Sequence, residues 1–211
     1  MDRFRIFLLS PASCSGQRAR QILSPRARFE LALRLREPQG APLGEVFSFF
    51  SALYFRGKHA YGHAFARPPA GLPGVLVITA GEGLLPPHEP ATPARLRRWS
   101  RIPIDAEEPR YRRPLTRDAQ RMAAQAGRET EFVLLGSIAT GKYVDILLEA
   151  FGDQLLFPGD FVGRGDMSRG GLMLRCAREG RELDYISVSG AVRHGSRPPK
   201  LPPLPRKFSI G

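Results

Sequence analysis

The stretch Glu131-Phe132-Val133-Leu134-Leu135-Gly136-Ser137-Ile138-Ala139-Thr140-Gly141-Lys142-Tyr143 runs from an unbroken apolar segment through a glycine-bounded loop into a helical pattern reaching Phe151. Apolar residues without polar alternation mark a strand buried on both faces, the situation of a parallel sheet covered by helices. Two other runs read the same way, Phe4–Leu9 and Val75-Leu76-Val77-Ile78-Thr79, each bounded by turn residues. Helical patterns lie between them: 16–23, a further helix from Pro25 onward, and 44–65, with a break expected near Gly57. Thr92 is placed to cap a helix that Pro93 opens. A helix over 115–126 stops at Gly127, and 143–151 is amphipathic and ends at Gly152. A short strand at 155–157, a Gly-rich loop at 158–171, a segment at 172–178 and a strand at 183–188 complete the body. Strands alternating with helices predict an α/β fold, a mainly parallel sheet flanked by helices. The expected layout is one domain over residues 1–188, followed by an extended Pro/Arg-rich tail over 189–211 that has five basic residues and no acids.

The balance of Lys+Arg 32 against Asp+Glu 20 gives +12 over 211 residues. That excess suits an anionic partner, a nucleic acid or a nucleotide, and says nothing about fold. All but four of the 32 basic residues are arginine, a bias that GC-rich coding also produces, so the excess over acids is the better signal. Cys14 and Cys176 stand in no metal-binding spacing, no stretch approaches a membrane span, and the apolar run near Met1 is short and broken by Arg5. Free thiols and a cytoplasmic location follow as the expectation, with no membrane partner, no cofactor and no metal.

In an open parallel sheet the working groups gather in loops beyond the carboxyl ends of the strands. After the first strand, Ser10-Pro11-Ala12-Ser13-Cys14-Ser15-Gly16-Gln17-Arg18 combines hydroxyls with a cation. Ser13, Ser15 and Arg18 are candidate phosphate ligands there, and capping of the following helix is the plainer alternative. After the third strand, Gly136, Ser137, Thr140, Gly141, Lys142 and Tyr143 match GxxxxGK[ST] up to its last position. There Tyr143 replaces the metal-holding hydroxyl, so an anion site without NTPase chemistry fits better than a phosphate-loop NTPase. The segment 159–171 holds five glycines. Arg164, Ser168 and Arg169 could hold phosphate from it, and Asp166 could orient a hydroxyl or act as acid or base. Glu82, between two glycines after the second strand, is the other candidate catalytic acid or base. His59 and His63 share a helix face but lack a third ligand.

Several segments together resemble a known family. Leu8-Leu9-Ser10…Cys14-Ser15…Arg18-Ala19 precedes Phe47…Ala52-Leu53-Tyr54-Phe55-Arg56-Gly57-Lys58…Tyr61. Val77-Ile78-Thr79-Ala80…Gly83-Leu84-Leu85-Pro86, then Val133–Gly136 with Tyr143, and Phe157-Pro158…Gly163 follow in order. The arrangement resembles YaaA and related YaaA-like domains of unknown function. It departs from them where Ala80-Gly81-Glu82-Gly83 stands for Ala-x-Tyr-Gly and Gln17-Arg18 for a lysine. The resemblance implies a mixed α/β body with a basic, nucleic-acid-facing cleft and no named reaction.

The functional expectation is a protein binding a nucleotide or nucleic acid in one cleft built from loops 10–18, 80–86, 136–143 and 159–171. Any chemistry there would act on a nucleobase, ribose or phosphate group. The alternative is a non-catalytic DNA- or RNA-binding module using the tail and the arginines of 95–113.

Overall fold

The computed structural model describes residues 3–139, 141–191, 195, 198 and 199. Along the chain lie β1 (Phe4–Leu9), α1 (Gln17–Leu23), α2 (Glu30–Arg34), β2 (Ala41–Pro42), α3 (Leu43–Phe65), β3 (Val75–Ile78) and β4 (Leu84–Leu85). Then follow β5 (Pro90–Ala91), α4 (Pro93–Trp99), α5 (Pro109–Ala126), β6 (Thr130–Leu135), α6 (Gly141–Phe151), β7 (Leu155–Pro158), α7 (Asp166–Glu179) and β8 (Tyr185–Ser187). One six-stranded sheet has the order β4-β3-β1-β6-β7-β8. Its four inner strands are parallel, and the two edge strands, β4 and β8, run antiparallel to their neighbours. The expected α/β class with a mainly parallel sheet is what forms.

The apolar runs account for the central strands. Ile6 to Leu9, Val77, Ile78 and Phe132 to Leu135 are fully buried and belong to one continuous core. Strand order reverses at β1: the chain moves from β1 to β3 on one side, then returns to lay β6 on the other. Such a reversal splays the following loops apart and leaves a crevice beyond the carboxyl ends of the two strands. Leu9 pairs with Leu135, and the Ser10 N–H donates to Leu135 O at 3.2 Å, so Ser10 and Gly136 emerge side by side.

Several expected elements are corrected. The 44–65 helix does bend, but at Ala52 (φ 45°, ψ −120°), not at Gly57. Half of the expected Gly-rich loop is helical, because α7 begins at Asp166. Gly170 of α7 is there for packing: a Cβ on it would lie 2.6 Å from Leu53 O, and one on Gly57 of α3 would lie 2.5 Å from Gly170 O. The α3 and α7 backbones therefore touch at a glycine-lined crossing, which a local reading of loop propensity cannot detect. The segment 80–91, with 80–86 expected as loop, contains β4 and β5, and α5 starts at Pro109, capped by the Glu108 carboxylate that accepts the Arg110 N–H at 3.1 Å. Most of the tail expected over 189–211 lies outside the described residues.

Candidate functional site

A cleft of about 800 Å³ opens at the switch point. Its rim and walls come from the loop after β1 (Ser10 to Ser15), from Ser137, Lys142 and Tyr143 after β6, from Asp166 at the start of α7, and from the segment Trp99 to Ile104. Phe47, Ser51 and Tyr54 of α3 close one side, so the bend at Ala52 falls at the cleft wall. Non-glycine backbone with positive φ persists only where the surroundings enforce it, and such residues gather at functional sites.

Beneath the loop lies a residue the sequence reading passed over. Lys58 is 1% exposed, and its Nζ sits 2.7 Å from Ser10 O and 2.9 Å from Ser10 Oγ. The ammonium stem runs between aromatic faces, with Nζ 4.3 Å from the Tyr54 ring centroid and 4.9 Å from that of Phe55. Burial brings the Lys58 pKa down to about 7; the Arg169 guanidinium adds to that fall and Asp166 opposes it. A signal was present. Phe47, Tyr54, Lys58, Tyr61 and Phe65 follow one another at helical i+3, i+4 and i+7 steps, so Lys58 occupies the apolar stripe of α3.

Tyr143, in the first turn of α6, reaches the same point from the β6 side. Its hydroxyl accepts the Ser137 N–H at 3.0 Å and also lies against the Ser10 side chain. Gly136 makes this approach possible, since a Cβ there would stand 2.8 Å from Ser10 Cβ and 3.0 Å from Tyr143 Oη. Burial pushes the Tyr143 hydroxyl pKa up, so it remains a neutral donor. Burial likewise pushes the Cys14 thiol up to about 12, which keeps it protonated and makes it a poor nucleophile. The Tyr54 hydroxyl is buried beside Arg169 without meeting it in hydrogen-bond geometry, and Trp99 Nε1 is also buried without a partner.

The structure distributes the expected site residues unevenly. Ser13, Ser15, Ser137, Lys142, Tyr143 and Asp166 line the one cleft. Gly136 lies just beneath it, and Thr140 lies outside the described residues. Gly141 opens α6, where the Asp145 carboxylate already sits over it: a Cβ on Gly141 would be 2.0 Å from Asp145 Oδ2. Arg18 is turned away from the cleft, donating to Phe49 O at 3.1 Å. Arg164 donates to Asp160 O and faces Ser168 Oγ at 3.4 Å, which ties both residues to the loop before α7. Arg169 donates twice to Phe161 O and pairs with Asp166 at 3.7 Å. Glu82 is separate from the cleft, with its carboxylate clamped by Arg95 and Arg98. Its loop is closed by Thr79, which donates to Gly83 O and accepts the Glu82 N–H. Sequence alone did not bring Trp99, Arg101, Ile102 and Ile104 to the cleft, because they reach it from the end of α4 and the segment after it, far from any strand end.

The His59 and His63 rings lie 4.6 Å apart, and no group of three metal-ligating side chains occurs among the described residues. No described helix is long and apolar enough to cross a membrane. Comparison with protein-family models, with curated proteins and with solved structures finds no match for this chain.

Proposed function

We propose that the cleft binds a phosphate-bearing nucleotide unit, either free or as part of a nucleic acid strand. The observation that carries the reading is the convergence, in one crevice at the strand-order reversal, of Lys142 and Arg101 with the hydroxyls of Ser13, Ser15 and Ser137. Cations and neutral donors around a crevice of nucleotide size are what a phosphate and its ribose need. Phe47, Tyr54 and Trp99 add aromatic surface on the side where a base would pack. The charge of +12 favours an anionic partner over a neutral one. The likeness of the Ser10 loop, the Tyr54 helix and the Val133–Gly136 strand to YaaA-like domains points the same way. Asp166 on the rim is the candidate acid or base toward a ribose hydroxyl.

Trp99 is the only tryptophan, so its emission reports on the cleft directly. Titration with a nucleoside triphosphate and with a single-stranded oligonucleotide should change Trp99 fluorescence. Lys142→Ala and Arg101→Ala should each weaken the response about 5- to 100-fold, the loss expected for a charge-assisted phosphate contact. For the oligonucleotide, log affinity should fall with log salt at a slope near −0.7 per phosphate neutralised. Unchanged emission with both ligands, or affinities indifferent to both substitutions, would refute the reading.

A further inference from the structure

We propose that Ser10 and Lys58 form a nucleophile–base pair that attacks the carbonyl carbon of a carboxylic ester in the floor of the cleft. Ser10 Oγ lies 2.9 Å from Lys58 Nζ, Ser10 lines the cleft, and Lys58 stands behind it, almost wholly enclosed. A serine hydroxyl is a weak nucleophile until a neighbouring base takes its proton, and a lysine can be that base only while its amine is neutral. The surroundings supply the condition: aromatic faces on two sides, one backbone carbonyl, and, among the described residues, no carboxylate within ion-pair distance, Asp166 acting only at longer range. A buried amine with its pKa near 7 is unprotonated in a useful fraction at neutral pH. One Nζ–H can donate to Ser10 O, which aims the nitrogen lone pair at Ser10 Oγ. Tyr143 of α6, whose hydroxyl touches the Ser10 side chain from the β6 side of the crevice, is placed to donate to the oxygen as it gains charge.

In the first step Ser10 Oγ bonds to the carbonyl carbon, its proton passes to Lys58 Nζ, and the carbonyl π pair moves onto oxygen. Collapse of the tetrahedral adduct breaks the ester C–O bond, and the departing alkoxide takes the proton from Lys58. Water then attacks the acyl-Ser10 carbon and gives a proton to Lys58. The bond to Oγ breaks and Ser10 recovers that proton, releasing the carboxylic acid. No oxidant or cofactor enters. Phe47, Trp99, Ile102 and Ile104 also line the cleft and give the apolar part of such an ester a surface to pack on.

The pair requires no bound nucleotide, so its test is independent of the binding reading. The full chain is treated with a fluorophosphonate, which loses fluoride on reaction with an activated serine, and with p-nitrophenyl acetate as a turnover substrate. The proposal expects one fluorophosphonate adduct, on the peptide containing Ser10, and none in Ser10→Ala. The labelling rate of the unaltered chain should rise through about pH 7, reporting Lys58 amid Tyr54 of its own helix, Ser10 of the β1 loop, Tyr143 of α6, and Asp166 and Arg169 of α7. Lys58→Met should slow labelling and ester turnover about 100-fold or more, the share of a positioned general base. Lys58→Arg, which keeps a cation beside Ser10 O but cannot act as a base, should not restore the rate. The pH profile of the unaltered chain stands even if those variants do not fold. Absence of an adduct, an adduct elsewhere, a rate flat through pH 7, or a folded Lys58→Arg chain labelling at the original rate would overturn the pair.

Discussion

Gly136 illustrates how one residue type can be read correctly as necessary and wrongly as to why. As part of a phosphate-loop pattern it and Gly141 form a matched pair, both sparing room for an anion. In the structure they do different work. A Cβ on Gly136 would press on Ser10 Cβ at 2.8 Å and on Tyr143 Oη at 3.0 Å, groups that both belong to the cleft floor. A Cβ on Gly141 would meet only the Asp145 carboxylate, the far end of a side chain that can rotate. Gly136→Ala should therefore destabilise the chain by about 1–3 kcal/mol, the usual cost of overpacking. Gly141→Ala, in the first turn of α6, should cost less than about 0.5 kcal/mol, since Ala also favours helix. Urea midpoints of the two variants check this, and equal losses would contradict the separate roles. The hydroxyls of Ser13, Ser15 and Ser137 were legible because hydroxyls near a strand end need little context. Lys58 was not, because one lysine in a helix reads as solvated until its place on the stripe with Tyr54 and Tyr61 is counted.

Among the elements, the strands were the easiest to read and α7 the hardest, for one physical reason. Burial on both faces writes itself into β1, β3 and β6 as continuous apolar letters, whatever lies elsewhere in the chain. The helical state of α7 depends on a partner. Gly170 and Gly171 weaken a helix by themselves, by about 1 kcal/mol each relative to Ala. Gly170 is nevertheless required, because Leu53 O and Tyr54 Cα lie 2.6 and 2.7 Å from where its Cβ would be, and backbone cannot swing aside. Gly171 has nothing within 4 Å of that point. The two adjacent glycines should thus respond with opposite sign to the same change. Gly170→Ala should lower stability by about 1–3 kcal/mol or more as α3 and α7 are forced apart. Gly171→Ala should raise it by up to about 1 kcal/mol through helix propensity. Thermal or urea unfolding of both variants decides it; a stabilised Gly170→Ala chain would mean that the helices do not cross at that residue. The bend in α3 falls at Ala52, next to the Leu53 and Tyr54 backbone that Gly170 packs against, while Gly57 stays helical.

For the molecule as a whole, the net charge of +12 pointed to a partner but not to a place. Much of the positive charge is spent internally: Arg5 bridges Glu131 and Glu182 at the amino ends of the strands, and Arg95 and Arg98 hold Glu82. The least expected charge, Lys58, should dominate how the whole fold responds to mild alkali. In the unfolded chain a lysine keeps its proton to about its ordinary pKa of 10.5, whereas in the fold Lys58 releases it near 7. Between those values the unfolded state binds one more proton than the native state, so stability rises with pH, by up to ~1.4 kcal/mol per pH unit. Cys14 acts in the opposite sense above its ordinary value of 9.0, because burial keeps the folded thiol protonated up to about 12. Above pH 9 the native state therefore holds the extra proton and the gain is eroded. The window from about pH 7 to 9 isolates Lys58 from Cys14. Urea unfolding across it should give a rising midpoint for the unaltered chain and a nearly flat one for Lys58→Met, which has no proton to lose. A flat profile in the unaltered chain would show that Lys58 keeps its charge inside the fold. It would then pin the β1 loop as an ammonium, and the basic role beside Ser10 would fall with the neutral amine it requires.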